Sequence, residues 1–169
     1  MKKIHLIILS FLFFSCEKNI DTDPQNNEFL IEVSVFLSES CPIAQYMTLP
    51  LKNSYNQFAS DSVIFTAYFP NLLSTQESIY NFKQKYSIPF SCLDDNTGEM
   101  VSLLGATVYS EVFIIFNGEV VYKGMIDDSY TSLGQWSPAE NHYLYDILEQ
   151  LIGGGGVDFY ETIPVGCLI

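Results

Sequence analysis

The sequence predicts an α/β domain in which a mixed central sheet is flanked by helices. Segments with strand character alternate with segments of helical periodicity in the order β-α-β-α-β-α-β-β-α. Strands joined through a helix run parallel, whereas Asn117-Gly118 between two apolar runs is typical of a tight antiparallel hairpin. Because the chain has 169 residues, of which 48% are hydrophobic, it can bury one substantial core.

The first predicted strand and helix bring a short loop to one edge of this sheet. Residues 29–37 alternate and include β-branched side chains, so we expect a buried strand. The helix that follows has Pro42 in its first turn, apolar residues three and four apart as far as Phe58, and Pro50 as an internal kink.

The remaining elements follow from patterning and turn chemistry. Ser74 and Glu77, three residues apart, have the spacing of a capping box that opens a helix ending at Tyr86. The other predicted elements are strands at 63–69, 90–93, 111–116 and 120–123, a short helix at 99–104, and a last helix at 138–152 that ends at four glycines, 153–156.

The N-terminal residues have the features of an export signal. Lys2 and Lys3 precede a mostly apolar run that is shorter than the roughly 20 residues needed to span a bilayer. Ser15-Cys16 resembles a bacterial lipobox, in which the cysteine is lipidated; the alternative is cleavage elsewhere. The expected organisation is a signal peptide at 1–15, a lipidated tether at 16–28, the domain at 29–152, and a glycine hinge with a C-terminal tail at 153–169.

The charge of the chain limits its partners. Seven basic residues, all lysines, stand against 20 acidic residues, giving a formal charge of −13. Such a surface repels phosphate groups, so nucleic acid is not an expected partner, and contact with a membrane is expected only through the N-terminal lipid.

Cys41 is the residue best placed for chemistry. It lies between the carboxyl end of the first predicted strand and the start of a helix, where open α/β sheets bind ligands. The helix N-terminus stabilises a thiolate, which is the reactive form, whereas the neighbouring Glu39 repels it. We expect Cys41 to be a nucleophile; the alternative is a buried and inert cysteine.

Several motifs are shared with a known family. They are Ser40-Cys41-Pro42-Ile43-Ala44, Leu104-Gly105-Ala106-Thr107, Glu111-Val112-Phe113-Ile114-Ile115 and the hairpin that follows. Over residues 29–152 they resemble a thioredoxin-like redoxin domain, most closely exported proteins of the alkyl hydroperoxide reductase and thiol-specific antioxidant group. Members with a Cys-Pro-Ile-Ala start also resemble the chain at 126–130 and 165–169. The resemblance implies a thioredoxin-like fold, with Cys41 surrounded by Ser38, Ser40, Pro42, Tyr109 and Ser110.

Three departures from the family pattern limit the implied activities. Ala44 stands where the second cysteine of a Cys-x-x-Cys motif would be, so another thiol resolves Cys41 or none does. The chain has no arginine to hold a thiolate and a peroxide, so efficient peroxide reduction is not expected. Tyr109-Ser110 replaces the usual cis-proline, and a cis bond without proline costs about 2.5 to 4 kcal/mol, so a trans peptide is expected.

Cys167 is the candidate partner of Cys41. It lies in an apolar tail after the four glycines, and we predict that this tail folds back and brings Cys167 to the mouth of the Cys41 site. The alternative is a tail cysteine with a structural role. Cys92 is expected to pack in the core, His142 to be solvated or capping rather than a catalytic base, and Asp127 and Asp128 to form a solvated acidic turn.

The predicted function is that of an envelope thiol oxidoreductase. Cys41 attacks a disulfide or an oxidised sulfur of a protein or small molecule, and Cys167 or an external thiol releases the mixed disulfide, with an external reductant completing the cycle. The alternative is a non-enzymatic redoxin relative that binds copper or a partner protein through Cys41. Cys41, Cys167 and His142 are fewer than the four ligands of a structural zinc site, so no metal and no cofactor are expected.

Overall fold

The computed structural model describes residues 29–169. The predicted signal peptide, the tether and the lipidation of Cys16 lie outside the described residues. Within residues 29–169, no helix has both the length and the apolar character needed to cross a membrane. The elements are β1 (Ile31–Phe36), α1 (Pro42–Phe58), β2 (Val63–Phe69), α2 (Gln76–Tyr86), β3 (Ser91–Asp94), α3 (Glu99–Leu104), β4 (Val112–Phe116), β5 (Glu119–Gly124), β6 (Tyr130–Ser132), β7 (Gln135–Trp136), α4 (Tyr143–Ile152) and β8 (Tyr160–Glu161).

The main sheet is mixed and has six strands in the order β3-β2-β1-β4-β5-β8. The β1, β2 and β3 strands are parallel to one another, as their helical connections require. The β4 strand is antiparallel to both β1 and β5, and Asn117-Gly118 forms the turn of the predicted hairpin. The predicted mixed sheet is therefore confirmed, and the tail adds β8, which runs parallel to β5.

Side chains alternate across β1 and so divide the core in two. Val33 and Val35 belong to a large buried cluster with residues of α1, α2 and α4. Phe36 points to the other face, where it packs with Phe113 and with residues of α3. The loop after Phe36 is consequently held between two packed layers at the carboxyl edge of the sheet.

The N-terminus of α2 differs from the prediction. Thr75, rather than Ser74, caps the helix: its hydroxyl accepts the N–H of Ser78 at 3.1 Å, and the Ser78 hydroxyl accepts the N–H of Thr75 at 2.9 Å. The Ser74–Glu77 pairing was therefore wrong by one position. Ser74 instead donates to the carboxylate of Glu39 at 2.8 Å.

The last helix is shorter than predicted. It begins at Tyr143 instead of 138, because the carboxylate of Asp128 accepts the N–H groups of Glu140 at 2.8 Å and Asn141 at 3.0 Å and holds the preceding segment outside the helix. Sequence patterning also missed the β6–β7 hairpin. Its aromatic side chains, Tyr130 and Trp136, pack edge-on against Tyr46 of α1.

Candidate functional site

Cys41 lies where the sequence predicted, directly before the first turn of α1. Its backbone is extended, its carbonyl accepts the N–H of Gln45 at 3.0 Å, and its own N–H reaches the carbonyl of Ser38 at 3.4 Å. Since Pro42 has no N–H, Ile43 and Ala44 supply the first free donors of the helix N-terminus. The residue is only 1% exposed, so it is enclosed in this structure.

Cys167 contacts Cys41 through its side chain. A hydrogen bond with Cys41, then burial, then the charge of Cys41 raise the pKa of the Cys167 thiol to about 11. Cys167 therefore keeps its proton at neutral pH and can donate it to the sulfur of Cys41. Both thiols are free.

The tail reaches this position because Thr162 fixes it to β5. The N–H of Thr162 donates to the carbonyl of Lys123 at 3.1 Å, and its hydroxyl accepts the N–H of Met125 at 2.8 Å. The same hydroxyl lies 2.7 Å from the Tyr122 hydroxyl, which donates to the carbonyl of Met125. A closed ring of hydrogen bonds thus anchors the tail before it turns towards Cys41.

Beyond this anchor the tail pairs antiparallel with the segment before β4. The N–H of Tyr109 donates to the carbonyl of Cys167 at 2.9 Å, and the N–H of Ile169 donates to the carbonyl of Thr107 at 3.2 Å. Val108 and Leu168 are bridge partners in this pairing. The tail segment 165–169 therefore lies across residues 107–110 like an added strand, with Cys167 facing Cys41.

The backbones approach closely at Gly166. A Cβ atom on this glycine would lie 2.0 Å from the carbonyl oxygen of Tyr109 and 3.3 Å from the hydroxyl oxygen of Ser110. Only a residue without a Cβ fits here without displacing a neighbour.

A buried carboxylate holds the segment that receives the tail. Glu111 is 3% exposed and accepts the N–H of Thr107 at 2.7 Å and its hydroxyl at 3.0 Å. Sequence reasoning placed Glu111 in a strand and missed this role, although an acidic residue among apolar ones was a visible signal.

Ser110 gives the same segment its sharp bend. It has a positive φ of 77°, its N–H donates to the carbonyl of Phe36 at 2.6 Å, and its hydroxyl donates to the carbonyl of Val165 at 3.1 Å. There is no cis peptide bond in residues 29–169, so the Tyr109-Ser110 bond is trans as predicted.

The other predicted neighbours of Cys41 also lie at the site. The buried hydroxyl of Ser38 is 3.1 Å from that of Ser40. Burial and the charges of Glu39 and Cys41 raise the pKa of Tyr109. Glu39 directs its carboxylate to the α2 side, where it accepts hydrogen bonds from the hydroxyls of Ser74 and Ser78.

The fold is similar to those of several solved structures. No family model matches the chain, and no curated protein matches it. An uncharacterised conserved protein from Geobacillus kaustophilus superposes with a TM-score of 0.69 at 24% identity, covering 83% of this chain and 76% of that one. The thioredoxin domain of a thiol-disulfide oxidoreductase from Bacteroides vulgatus superposes with a TM-score of 0.52 at 12% identity, covering 73% and 79%. The chain has the thioredoxin-like fold. The predicted fold class is confirmed.

Other candidate residues lie apart from the thiol pair in this thioredoxin-like domain. Cys92 is half-buried on β3, and burial raises the pKa of its thiol to about 11. His142 precedes α4 without a capping bond and lines a cleft with Pro50. The predicted solvated turn is wrong for Asp127, which is buried and bonded to Ser129.

The site offers two sulfur ligands and two exchangeable thiol protons. Across residues 29–169, no group of three or more His, Cys, Asp or Glu side chains is arranged to hold a metal ion. Cys41 and Cys167 are free thiols in contact at the carboxyl edge of a thioredoxin-like sheet. This arrangement can release two electrons by closing one disulfide.

Proposed function

We propose that the protein is a thiol-disulfide oxidoreductase of the bacterial cell envelope, with Cys41 as its nucleophile and Cys167 as its resolving thiol. The observation that carries the proposal is the antiparallel pairing of the tail segment 165–169 with residues 107–110, which places the Cys167 side chain close enough to Cys41, at the N-terminus of α1, for Cys41 to raise its pKa. The export signal and lipobox expected at the N-terminus support the envelope location, where disulfide chemistry is common.

The first step is attack of the Cys41 thiolate on one sulfur of a substrate disulfide. The new bond joins Cys41 to that sulfur, the substrate S–S bond breaks, and the other substrate sulfur leaves as a thiolate that takes a proton from water. Cys167 does not compete in this step, because a thiol with a pKa of about 11 is protonated at neutral pH.

The second step is attack of Cys167 on the sulfur of Cys41. Once Cys41 is in a mixed disulfide it no longer carries the charge that contributes to the raised pKa of Cys167, so Cys167 ionises more easily. Its thiolate displaces the second substrate sulfur and closes the Cys41–Cys167 disulfide. The substrate gains two electrons, the protein loses two, and an external dithiol restores the reduced pair.

Thiol stoichiometry tests this sequence. Reduced protein is mixed with a model disulfide, and released thiols and protein mass are followed for the wild type and for Cys41→Ser, Cys167→Ser and Cys92→Ser variants. We expect the wild type and the matched control Cys92→Ser to release two thiols and to form an internal disulfide. Cys167→Ser should stop at a Cys41 mixed disulfide, and Cys41→Ser should form no internal disulfide. Complete turnover by Cys167→Ser without added thiol would disprove the resolving role.

A further inference from the structure

The groove beside Cys41 is filled by the chain's own C-terminus. We define the groove by the backbone of residues 107–110 and the side chain of Cys41. The tail segment 165–169 enters it in an extended form, and its contacts with this backbone include two N–H to carbonyl bonds. Main-chain bonds of this kind are available to any extended peptide of the same direction.

The tail segment must leave before another molecule can reach Cys41. Cys41 is 1% exposed beneath it, whereas Leu168 within the segment is 80% exposed and Ile163 just before it is 85% exposed. Leu168 therefore buries little apolar surface, although Val165 and Cys167 pack partly buried against the core, while the ring at Thr162 holds the chain behind the segment. Opening of the last residues alone therefore requires less free energy than release of the whole tail.

The structure leaves no room for a Cβ at Gly166, the position before Cys167. The atom that excludes a Cβ there is the backbone carbonyl oxygen of Tyr109, at 2.0 Å. The position of this carbonyl is fixed on both sides, because Glu111 accepts the N–H groups of Thr107 and Val108 and the Phe36 carbonyl accepts the N–H of Ser110.

We propose that the Cys41 groove selects extended polypeptide segments in which glycine directly precedes the reacting cysteine, and that the tail segment 165–169 is an internal mimic of such a substrate. The inference rests on the proposed function and adds its substrate class. The substrate cysteine takes the place of Cys167, and its disulfide sulfur receives the attack of Cys41. For release, the peptide leaves the groove while its sulfur stays bonded to Cys41; the tail segment then returns, Cys167 attacks the sulfur of Cys41, and the substrate sulfur leaves as a thiolate.

Peptide disulfides test the selection directly. The probe is the peptide Thr-Ile-Pro-Val-Gly-Cys-Leu-Ile, with its cysteine joined to thionitrobenzoate, and the matched probe has alanine in place of glycine. With the full-length Cys167→Ser protein, attack by Cys41 forms the peptide mixed disulfide and releases coloured thionitrobenzoate. We expect the glycine peptide to react about tenfold faster, since the Cβ of alanine would overpack the groove at the Tyr109 carbonyl.

The small disulfide dithionitrobenzoate separates this inference from the proposed function. It has no backbone to pair, so its reaction reports the competence of Cys41 alone. If it reacts at Cys41 and both peptides react at the same rate, the glycine selection is wrong and the thiol chemistry stands. If it does not react at Cys41, the proposed function itself fails.

A pair of glycine variants provides the second test. Gly166→Ala places a Cβ against the Tyr109 carbonyl, whereas Gly156→Ala, in the same tail, meets nothing within 4 Å. We expect Gly166→Ala to dislodge the tail segment and to speed alkylation of Cys41 about tenfold. Gly156→Ala should match the wild type, and melting temperatures should confirm that both variants are folded. An unchanged alkylation rate in Gly166→Ala would overturn the inference.

Discussion

At the scale of single residues, Glu111 shows how a buried charge shapes the groove. Its buried carboxylate accepts three hydrogen bonds, from the N–H and the hydroxyl of Thr107 and from the N–H of Val108. Hydrogen bonds to a charged group stabilise a fold more than hydrogen bonds between neutral groups. Loss of the acceptor would also leave buried donors unpaired. The residue acts on Cys41 only through the segment that it positions.

Replacing this carboxylate should destabilise the domain. We expect Glu111→Gln to lower the free energy of unfolding by about 1–3 kcal/mol, because all three donors converge on Oε2 and a neutral amide oxygen accepts more weakly than a carboxylate oxygen. Denaturant unfolding followed through Trp136, the single tryptophan, measures the change. Glu119→Gln, at an exposed position on β5, is the matched control. Equal stability of the two variants would contradict the role assigned to Glu111.

The thiol of Cys167 should respond to its neighbour in a pH profile. Its pKa of about 11 depends first on Cys41, so Cys41→Ala should move the onset of Cys167 alkylation to lower pH. Cys92 is the internal control, because burial rather than Cys41 raises its pKa to about 11. Mass spectrometry after alkylation between pH 7 and about 11 would follow both thiols. A Cys167 profile that does not move in Cys41→Ala would show that the two sulfurs do not interact.

At the scale of elements, the tail is anchored near its middle by Thr162. Thr162 contacts β5 and the buried Tyr122 hydroxyl, and Gly124 allows this contact because a Cβ there would lie 2.2 Å from the Thr162 hydroxyl oxygen. The segment after Thr162 therefore begins from a fixed point and needs few further contacts to reach Cys41.

Removal of the anchoring hydroxyl should loosen the whole tail. Thr162→Val keeps the shape but leaves the N–H of Met125 unpaired, and we expect Cys41 to alkylate about three- to tenfold faster, as the loss of about 1 kcal/mol implies. Thr162→Ser retains the hydroxyl and should stay close to the wild type. Similar rates for the valine and serine variants would mean that the hydroxyl does not hold the tail.

The elements differ in how far the sequence could predict them. The β4–β5 hairpin and the position of Cys41 were predictable, because a two-residue turn and a strand-to-helix loop depend on neighbouring residues. The start of α4 and the edge strand β8 were not, because a distant Asp128 carboxylate and a distant strand decide them. The need for glycine at position 166 was also not predictable, because it arises from the carbonyl of Tyr109, which is distant in the sequence.

At the scale of the whole molecule, the raised pKa values of the thiols make the free energy of unfolding depend on pH in the alkaline range. Cys92 and Cys167 both rise from 9.0 to about 11 on folding, so between these values the folded chain binds more protons than the unfolded chain. Their contribution is complete below pH 9 and is lost as the pH rises towards 11.

We therefore expect the free energy of unfolding to fall across this window by at most about 1.4 kcal/mol per pH unit for each thiol. Denaturant unfolding between pH 8 and about 12 measures the fall. A Cys92→Ala, Cys167→Ser double variant should show a shallower decline, and the part that remains belongs to buried tyrosines such as Tyr122, whose pKa burial also raises. An equally steep decline in the double variant would refute the assignment to the thiols.

The contact between Cys41 and Cys167 joins distant parts of the chain. Between them lie all four helices of the described chain and five of the six strands of the main sheet. A covalent bond closing a loop of this size restricts the unfolded chain and stabilises the fold by about 4–5 kcal/mol in the chain-entropy model. By thermodynamic linkage, folding favours formation of the bond by the same amount, since it raises the effective concentration of one thiol beside the other. Oxidation state and folding are therefore coupled across the whole domain.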